Sequence, residues 1–321
     1  MKVLLLGGTG FIGRAIAQRF SRLQDVEAVI GARNPGSPVA GSFVRVDATD
    51  VDALTPVLAG TDVVVNCVTG SAETIRKSAA AIVDAAGRAE NSARIVHMSS
   101  MAVYGGQQGN LSETDPVSDD GNWYGRAKIE AENIFRNLGD QSGATILRIG
   151  CVYGRGSLLW VDRIGLLLRS GRLGDLAEQG DGWSNLVHVD DVAEAVVLSI
   201  RSSKRGTTIY NLAGPDSPRW NSYFRDFALA ADWVPLKYKS RLSMVLESNL
   251  IAPPLKIWER LSARGWLKTP GVQSIPPSLL RLWSQQIKLE SAKVERELGL
   301  KWTPYDEGLR DSVNYFRTKY G

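Results

Sequence analysis

The chain has 321 residues, 44% hydrophobic and 22% charged, with 38 Lys and Arg against 34 Asp and Glu. That composition excludes a disordered chain, a collagen-like repeat and a disulfide framework, and the length predicts one large domain or about two smaller ones. Cys67 and Cys151 are the only cysteines, both sit among apolar neighbours, and no metal site or disulfide is expected of them.

The N-terminal apolar run stops at Gly7, so a signal peptide is not expected, and no stretch approaches the roughly 18–20 apolar residues of a membrane span. A reducing, cytoplasmic setting is the expectation. Charge is uneven: residues 1–150 hold 14 basic and 16 acidic side chains, the remainder 24 and 18. Eight of the nine tryptophans also follow residue 150, so the two parts are expected to do different jobs.

In chain order, Lys2–Leu6 is a short apolar run closed by glycine, as in a buried strand. Residues 13–22 form a helix, with Ile12, Ile16 and Phe20 at helical spacing. Val26–Ile30 is a second strand, followed by the turn residues Asn34, Pro35, Gly36 and Pro38. Phe43–Val46 is a third strand, Asp52–Leu58 a short helix and Asp62–Val68 a fourth strand. Ile75–Ala86 is an alanine-rich helix, Arg94–Met98 a fifth strand, Tyr124–Leu138 a helix and Thr145–Ile149 a sixth strand. Asp191 is expected to N-cap a helix over Ala193–Ile200. His97 and His188 read as packed residues. Strands joined by helices predict an α/β fold: a Rossmann-type, doubly wound parallel sheet with ligands at the carboxyl ends of its strands.

Gly7, Gly10 and Gly13 stand at G-x-x-G-x-x-G spacing where the first strand meets the first helix. Glycine lets the backbone turn tightly and approach a pyrophosphate, and the helix N-terminus adds free N–H groups and a positive dipole end. The second strand ends in Gly31-Ala32-Arg33, without the acid that usually holds an NAD ribose. Arg33, assisted by Arg14, can pair with a 2′-phosphate, so NADP(H) is favoured over NAD(H).

Tyr124 and Lys128 are four apart at the start of a helix and share one face. An ammonium placed there is expected to lower the tyrosine pKa. Ser99 and Ser100 follow the fifth strand, and a hydroxyl there can bond a substrate oxygen.

Together these motifs resemble the extended short-chain dehydrogenase/reductase family, also called the NAD-dependent epimerase/dehydratase family. The likeness runs through about residue 215. It takes in Gly7–Gly13, Asp47–Asp50, Asn66–Val68, the Ser99–Gly105 run, Tyr124 and Lys128, Leu147–Gly154, Val187–Ala193 and Tyr210–Leu212, and the tail Lys293–Phe316 resembles the family's C-terminal end. The resemblance implies that Tyr124 is the acid/base, that Lys128 tunes it and holds the nicotinamide ribose, and that Ser100 orients the reacting oxygen. Asp47 would accept from the adenine amino group. Thr9, Phe11, Ile12, Ala48, Cys67, Val68, Thr69, Cys151 and Val152 would complete the cofactor contacts. Residues 1–153 and 187–213 would form the cofactor domain. Residues 154–186 and 214–321 would form a smaller, mainly helical substrate domain.

Departures from the pattern narrow the reaction. Met101-Ala102 replaces the Asp-Glu pair of 4,6-dehydratases. Ser184 and Cys151 stand where sugar-nucleotide epimerases carry a diphosphate-binding Arg and an Asn, although Arg155, Arg163 or Arg169 could substitute. The tryptophan-rich part suggests a pocket for an apolar or aromatic substrate, or simply a core. The first expectation is therefore an NADP(H)-dependent ketone reductase or alcohol dehydrogenase for a hydrophobic or phenolic compound. The alternative is a nucleotide-sugar epimerase with retained NAD(P), and the third is a non-catalytic cofactor-binding scaffold. A small-molecule substrate and a homodimer are the partners considered; nucleic acid is not expected. Leu255–Leu267 mixes Trp and Leu with Lys and Arg, as an interfacial lipid patch would.

Overall fold

The computed structural model describes residues 1–34, 40–90, 93–138, 143–263 and 273–321. The chain runs β1 (Lys2–Leu6), α1 (Phe11–Phe20), β2 (Glu27–Ala32), β3 (Ser42–Arg45), α2 (Val51–Leu58), β4 (Val63–Asn66), α3 (Ala72–Arg88) and β5 (Arg94–Ser100). It continues through β6 (Gly109–Leu111), α4 (Trp123–Arg136), β7 (Ala144–Ile149), β8 (Cys151–Tyr153), α5 (Arg163–Arg169), β9 (Leu186–His188), α6 (Val189–Arg201) and β10 (Thr208–Leu212). The remainder is α7 (Trp220–Ala230), α8 (Arg241–Leu246), α9 (Ala252–Ala263), α10 (Pro277–Trp283), β11 (Ile287–Leu289), α11 (Ala292–Leu298) and α12 (Tyr305–Tyr320).

Seven strands form one parallel sheet in the order β10-β7-β5-β4-β1-β2-β3. The order reverses between β1 and β4, which opens a crevice at their carboxyl ends. The strands expected in the first 150 residues are present, with ends shifted by a few residues. Pro35, Gly36 and Pro38 lie outside the described residues, as does the end of the Leu255–Leu267 patch.

Alternation along β1 shows how the layers form. Val3 and Leu5 pack with Ile16, Phe20, Val192 and Val196 from α1 and α6. Leu4 and Leu6 pack with Leu54, Ile82, Ala127 and Phe135 from α2, α3 and α4. A strand covered by helices on both sides must be apolar on both faces, which is why it reads as a continuous run. Asp50, Ser71 and Asn122 cap α2, α3 and α4 by accepting backbone N–H groups at 3.0–3.1 Å.

A third core is aromatic and lies in the later part of the chain. Trp220, Tyr223, Phe224, Phe227, Trp283 and Phe316 are all buried in it. Trp220 and Trp283 therefore build a core rather than line a pocket. Two short parallel pairs, β6 with β11 and β8 with β9, were not anticipated. Three residues carry too little periodicity to announce a strand.

One cap differs from expectation. α6 begins at Val189, and His188 caps it by accepting the Asp190 N–H at 3.4 Å. Asp191 sits inside the first turn, where it accepts from the Thr303 N–H at 3.1 Å and hydroxyl at 2.6 Å. A tertiary partner has replaced the local one.

Candidate active site

The backbone leaves β1 through Gly7, at φ +76°. A Cβ on Gly7 would stand 3.0 Å from the Cys67 carbonyl at the end of β4. A Cβ on Gly13 would stand 2.6 Å from Gly8 Cα, and nearer still to the Gly7 carbonyl oxygen. Glycine alone permits this approach, so the turn sits tight against the switch point of the sheet. Gly10 caps α1 without a side-chain bond. The first helical N–H with an internal partner is that of Arg14, to Gly10 at 2.9 Å. The N–H groups ahead of it have no carbonyl within the helix, which suits an anionic pyrophosphate. The cradle thus fits a dinucleotide. Arg14 Nε donates to the Thr9 carbonyl at 2.8 Å, so this arginine braces the loop.

Arg33 follows β2 and is exposed. Asp47 and Ala48 follow β3. Asp47 accepts from the Thr49 N–H at 2.9 Å and hydroxyl at 2.8 Å. These bonds, with the Arg33 charge added, hold its carboxyl below the ordinary range.

β5 delivers Ser100 at its carboxyl end, where its Oγ accepts the Ala102 N–H at 3.2 Å. Tyr124 stands in the first turn of α4 and Lys128 one turn later. Burial raises the Tyr124 phenol, while hydrogen bonds with the Ser100 and Thr69 hydroxyls pull it back. The expected ammonium effect on the phenol is not what the geometry gives. Lys128 Nζ is directed to the Met98 carbonyl at 2.6 Å. Lys128 is buried, and desolvation brings its pKa from 10.5 to about 8. Its charge falls on Cys67 and His97. Burial pushes the Cys67 thiol up to about 12 and His97 far below its ordinary value, so neither is charged near neutrality. Val68 completes the turn after β4, its N–H bonded to Asn66 Oδ1 at 3.0 Å.

Beneath the hydroxyls lies a buried polar network. Arg148 Nε and Nη2 meet the two Glu132 carboxylate oxygens at 3.0 and 2.9 Å. Ser99 donates to Glu132 Oε1 at 2.6 Å, and the Tyr104 hydroxyl lies 2.9 Å from Arg148 Nη1. The same hydroxyl donates to Asn211 Oδ1 at 2.7 Å. The Ser99 hydroxyl is thus tied into this buried network. Glu132 was missed, although it continues the i, i+4, i+8 row begun by Tyr124 and Lys128.

Cys151 and Val152 are buried in β8. Ser184 is buried too, with its hydroxyl 2.9 Å from that of Ser217. Arg155 pairs with Asp311 at 2.7 Å, Arg163 with Gln273 at 3.2 Å, and Arg169 with the Tyr320 carbonyl at 2.6 Å. A cavity of about 810 Å³ lies between α1, α6 and α12, lined by Phe11, Arg14, Arg155, His188 and Lys319. Ser100, Tyr124 and Lys128 do not line it. Among the described residues, no group of three or more His, Cys, Asp or Glu could hold a metal.

A doubly wound sheet, a glycine cradle at its switch point and a Ser–Tyr–Lys set on the adjoining strand and helix define a dinucleotide-binding class of α/β protein. Residues 3–213 match the NAD dependent epimerase/dehydratase family, and the chain belongs to that family. It is 32% identical over 151 residues to Protein YeeZ of Escherichia coli (strain K12), covering 46% of this chain and 50% of that protein. The chain thus spans about half the length of this curated relative. It is 25% identical over 311 residues to dTDP-L-rhamnose 4-epimerase of Burkholderia thailandensis, covering 70% of this chain and 85% of that one. The fold resembles UDP-glucose 4-epimerase from Bifidobacterium longum, solved with NAD+ and UDP, at a TM-score of 0.73 and 18% identity; the match covers 100% of this chain and 99% of that one.

Proposed function

We propose that the chain is an NAD(P)-dependent enzyme that oxidises and re-reduces a carbinol carbon of a nucleotide-sugar, with Tyr124 as acid/base. The carrying observation is Tyr124 and Lys128 one turn apart on α4, with Nζ 5.8 Å from the centre of the phenol ring, and Ser100 at the end of β5. The likenesses to two 4-epimerases support the substrate class.

Residues 1–153 and 187–213 form the cofactor part in this reading, and residues 154–186 and 214–321 the substrate part. Gly7, Thr9, Gly10, Phe11, Ile12 and Gly13 hold the pyrophosphate. Asp47 and Ala48 meet the adenine. Cys67, Val68, Thr69, Cys151 and Val152 border the nicotinamide end, with Lys128 and Tyr124 on its ribose. When bound, the nicotinamide accepts and returns a hydride. Tyr124 Oη takes the substrate hydroxyl proton and gives it back, while Ser100 Oγ holds the same oxygen. Exposed Arg33 favours NADP(H) by pairing with a 2′-phosphate.

A second reading is reduction of a ketone on a hydrophobic or phenolic compound. It is favoured by Ser184, buried where the sugar-nucleotide enzymes carry a diphosphate arginine. It is also favoured by Trp123, 57% exposed and set edge-on to Tyr124 at 5.7 Å.

The test is incubation of the purified protein with UDP- and dTDP-hexoses, following epimers by NMR. Epimer formation without net cofactor consumption, lost in Tyr124→Phe, is expected. Failure on every nucleotide-sugar, together with NADPH consumption on aromatic ketones, would move the assignment to the second reading. Equal affinity for NADH and NADPH, unchanged by Arg33→Ala, would remove the NADP(H) preference.

A further inference from the structure

We infer that the outward face of α8–α9 is a docking surface for an anionic lipid bilayer. A helix that faces water is polar outward and apolar inward. This segment is reversed. Leu242, Leu250 and Leu246 are 70%, 66% and 46% exposed, and Val245 and Ile251 are 39% and 45% exposed. The inward face instead carries buried Glu247 and Ser248 beside Met244 and Ala252. Glu247 is neutralised there by an ion pair with Arg172.

Charge selects the occupant. From Asp232 to Arg260 the sequence holds Lys237, Lys239, Arg241, Lys256 and Arg260 against Asp232, Glu247 and Glu259; Glu247 is buried and Asp232 is paired with Arg317. Lys237, Arg241 and Lys256 are exposed and have no acidic partner among the described residues. A second copy would bring the same positive excess to a symmetric contact, and the two would repel. An anionic bilayer covers the leucines and neutralises the cations together. Among the described residues no helix is long and apolar enough to cross a membrane, so the segment lies on the surface rather than through it.

The test is flotation of the full chain with vesicles of phosphatidylcholine alone or mixed with phosphatidylglycerol, and sedimentation velocity without lipid. The chain is expected to float with the anionic vesicles and not with the neutral ones, and to be released by high salt. Lys237→Glu/Arg241→Glu and Leu242→Ser/Leu250→Ser should each weaken binding by roughly tenfold or more. All four positions are exposed, and unchanged circular dichroism and dinucleotide affinity would show that the variants are folded. Absence of flotation, or equal flotation with neutral vesicles, overturns the inference. So does conversion of an oligomer to a monomer by the leucine variant without any vesicle binding, which would give the face to a second copy.

Discussion

Lys128 Nζ lies 5.8 Å from the centre of the Tyr124 ring, yet it donates to the Met98 carbonyl at 2.6 Å. The ammonium is buried, and its pKa falls from 10.5 to about 8. The unfolded chain therefore binds more protons between these values, and stability rises with pH across that window. The penalty is complete below about pH 8 and gone above about pH 10.5. The shift corresponds to about 3 kcal/mol, and loss of the bond to Met98 would offset about 1 kcal/mol. Lys128→Met should stabilise the fold at pH 7 by about 2 kcal/mol, with the gain disappearing towards pH 10.5, while abolishing turnover. Urea denaturation at both pH values checks this; a variant less stable than the parent at pH 7 contradicts it.

Tyr124 is raised by burial and pulled back by hydrogen bonds with Ser100 and Thr69. The phenolate fraction grows with pH, so a base step through Tyr124 should quicken with pH into the alkaline range. Thr69→Val removes one group that favours the phenolate and should move that limb to higher pH. Tyr124→Phe should lower kcat by about 10²–10⁴ with dinucleotide affinity nearly unchanged. A pH–rate profile of the three proteins separates these outcomes, and an unshifted limb in Thr69→Val would deny that hydroxyl its role.

The sheet was legible because its middle strands are covered on both sides, so runs such as Val3–Leu6 cannot be mistaken for surface. The glycine loop was legible because the close approach at Gly7 and Gly13 admits no other residue. What stayed hidden depends on distant partners. Asp191 reads as a cap, but Thr303 claims it. Glu132 was missed because its partner is distant: Arg148 from β7 meets it in the core. Lys128 reads as a neighbour of the phenol, but the Met98 carbonyl receives it. Tryptophans 220 and 283 read as either pocket or core, and only the packing of α7 on α10 decides for core.

Gly13 gives a direct test of the cradle. A Cβ placed there would meet Gly8 Cα at 2.6 Å, and backbone atoms cannot rotate away as a side chain can. Gly13→Ala must push α1 from β1, with overpacking that costs about 1–3 kcal/mol. The larger effect should be on ligand, because the first-turn N–H groups move with the helix. Calorimetry should show dinucleotide affinity reduced by roughly tenfold or more, for about 1.4 kcal/mol of lost alignment. Retained affinity would mean that the dinucleotide does not use this turn.

The Glu132–Arg148 pair supports the site from below and should be the least forgiving place in the sheet. Both side chains are about 1% exposed, and the carboxylate accepts from two Arg148 nitrogens, from Ser99 and from Arg136 Nη2 at 3.2 Å. Removing one partner strands a buried charge, which costs about 3–5 kcal/mol. Glu132→Leu should destabilise by about that amount, and Arg148→Met by less, because Arg136 still reaches the carboxylate. In the double variant neither charge remains, so its loss should be well below the sum of the two singles. Arg148 also bonds Tyr104, so the double variant should still be less stable than the parent. Urea unfolding of the four proteins forms the cycle, and simple additivity would show that the two groups do not act as a pair.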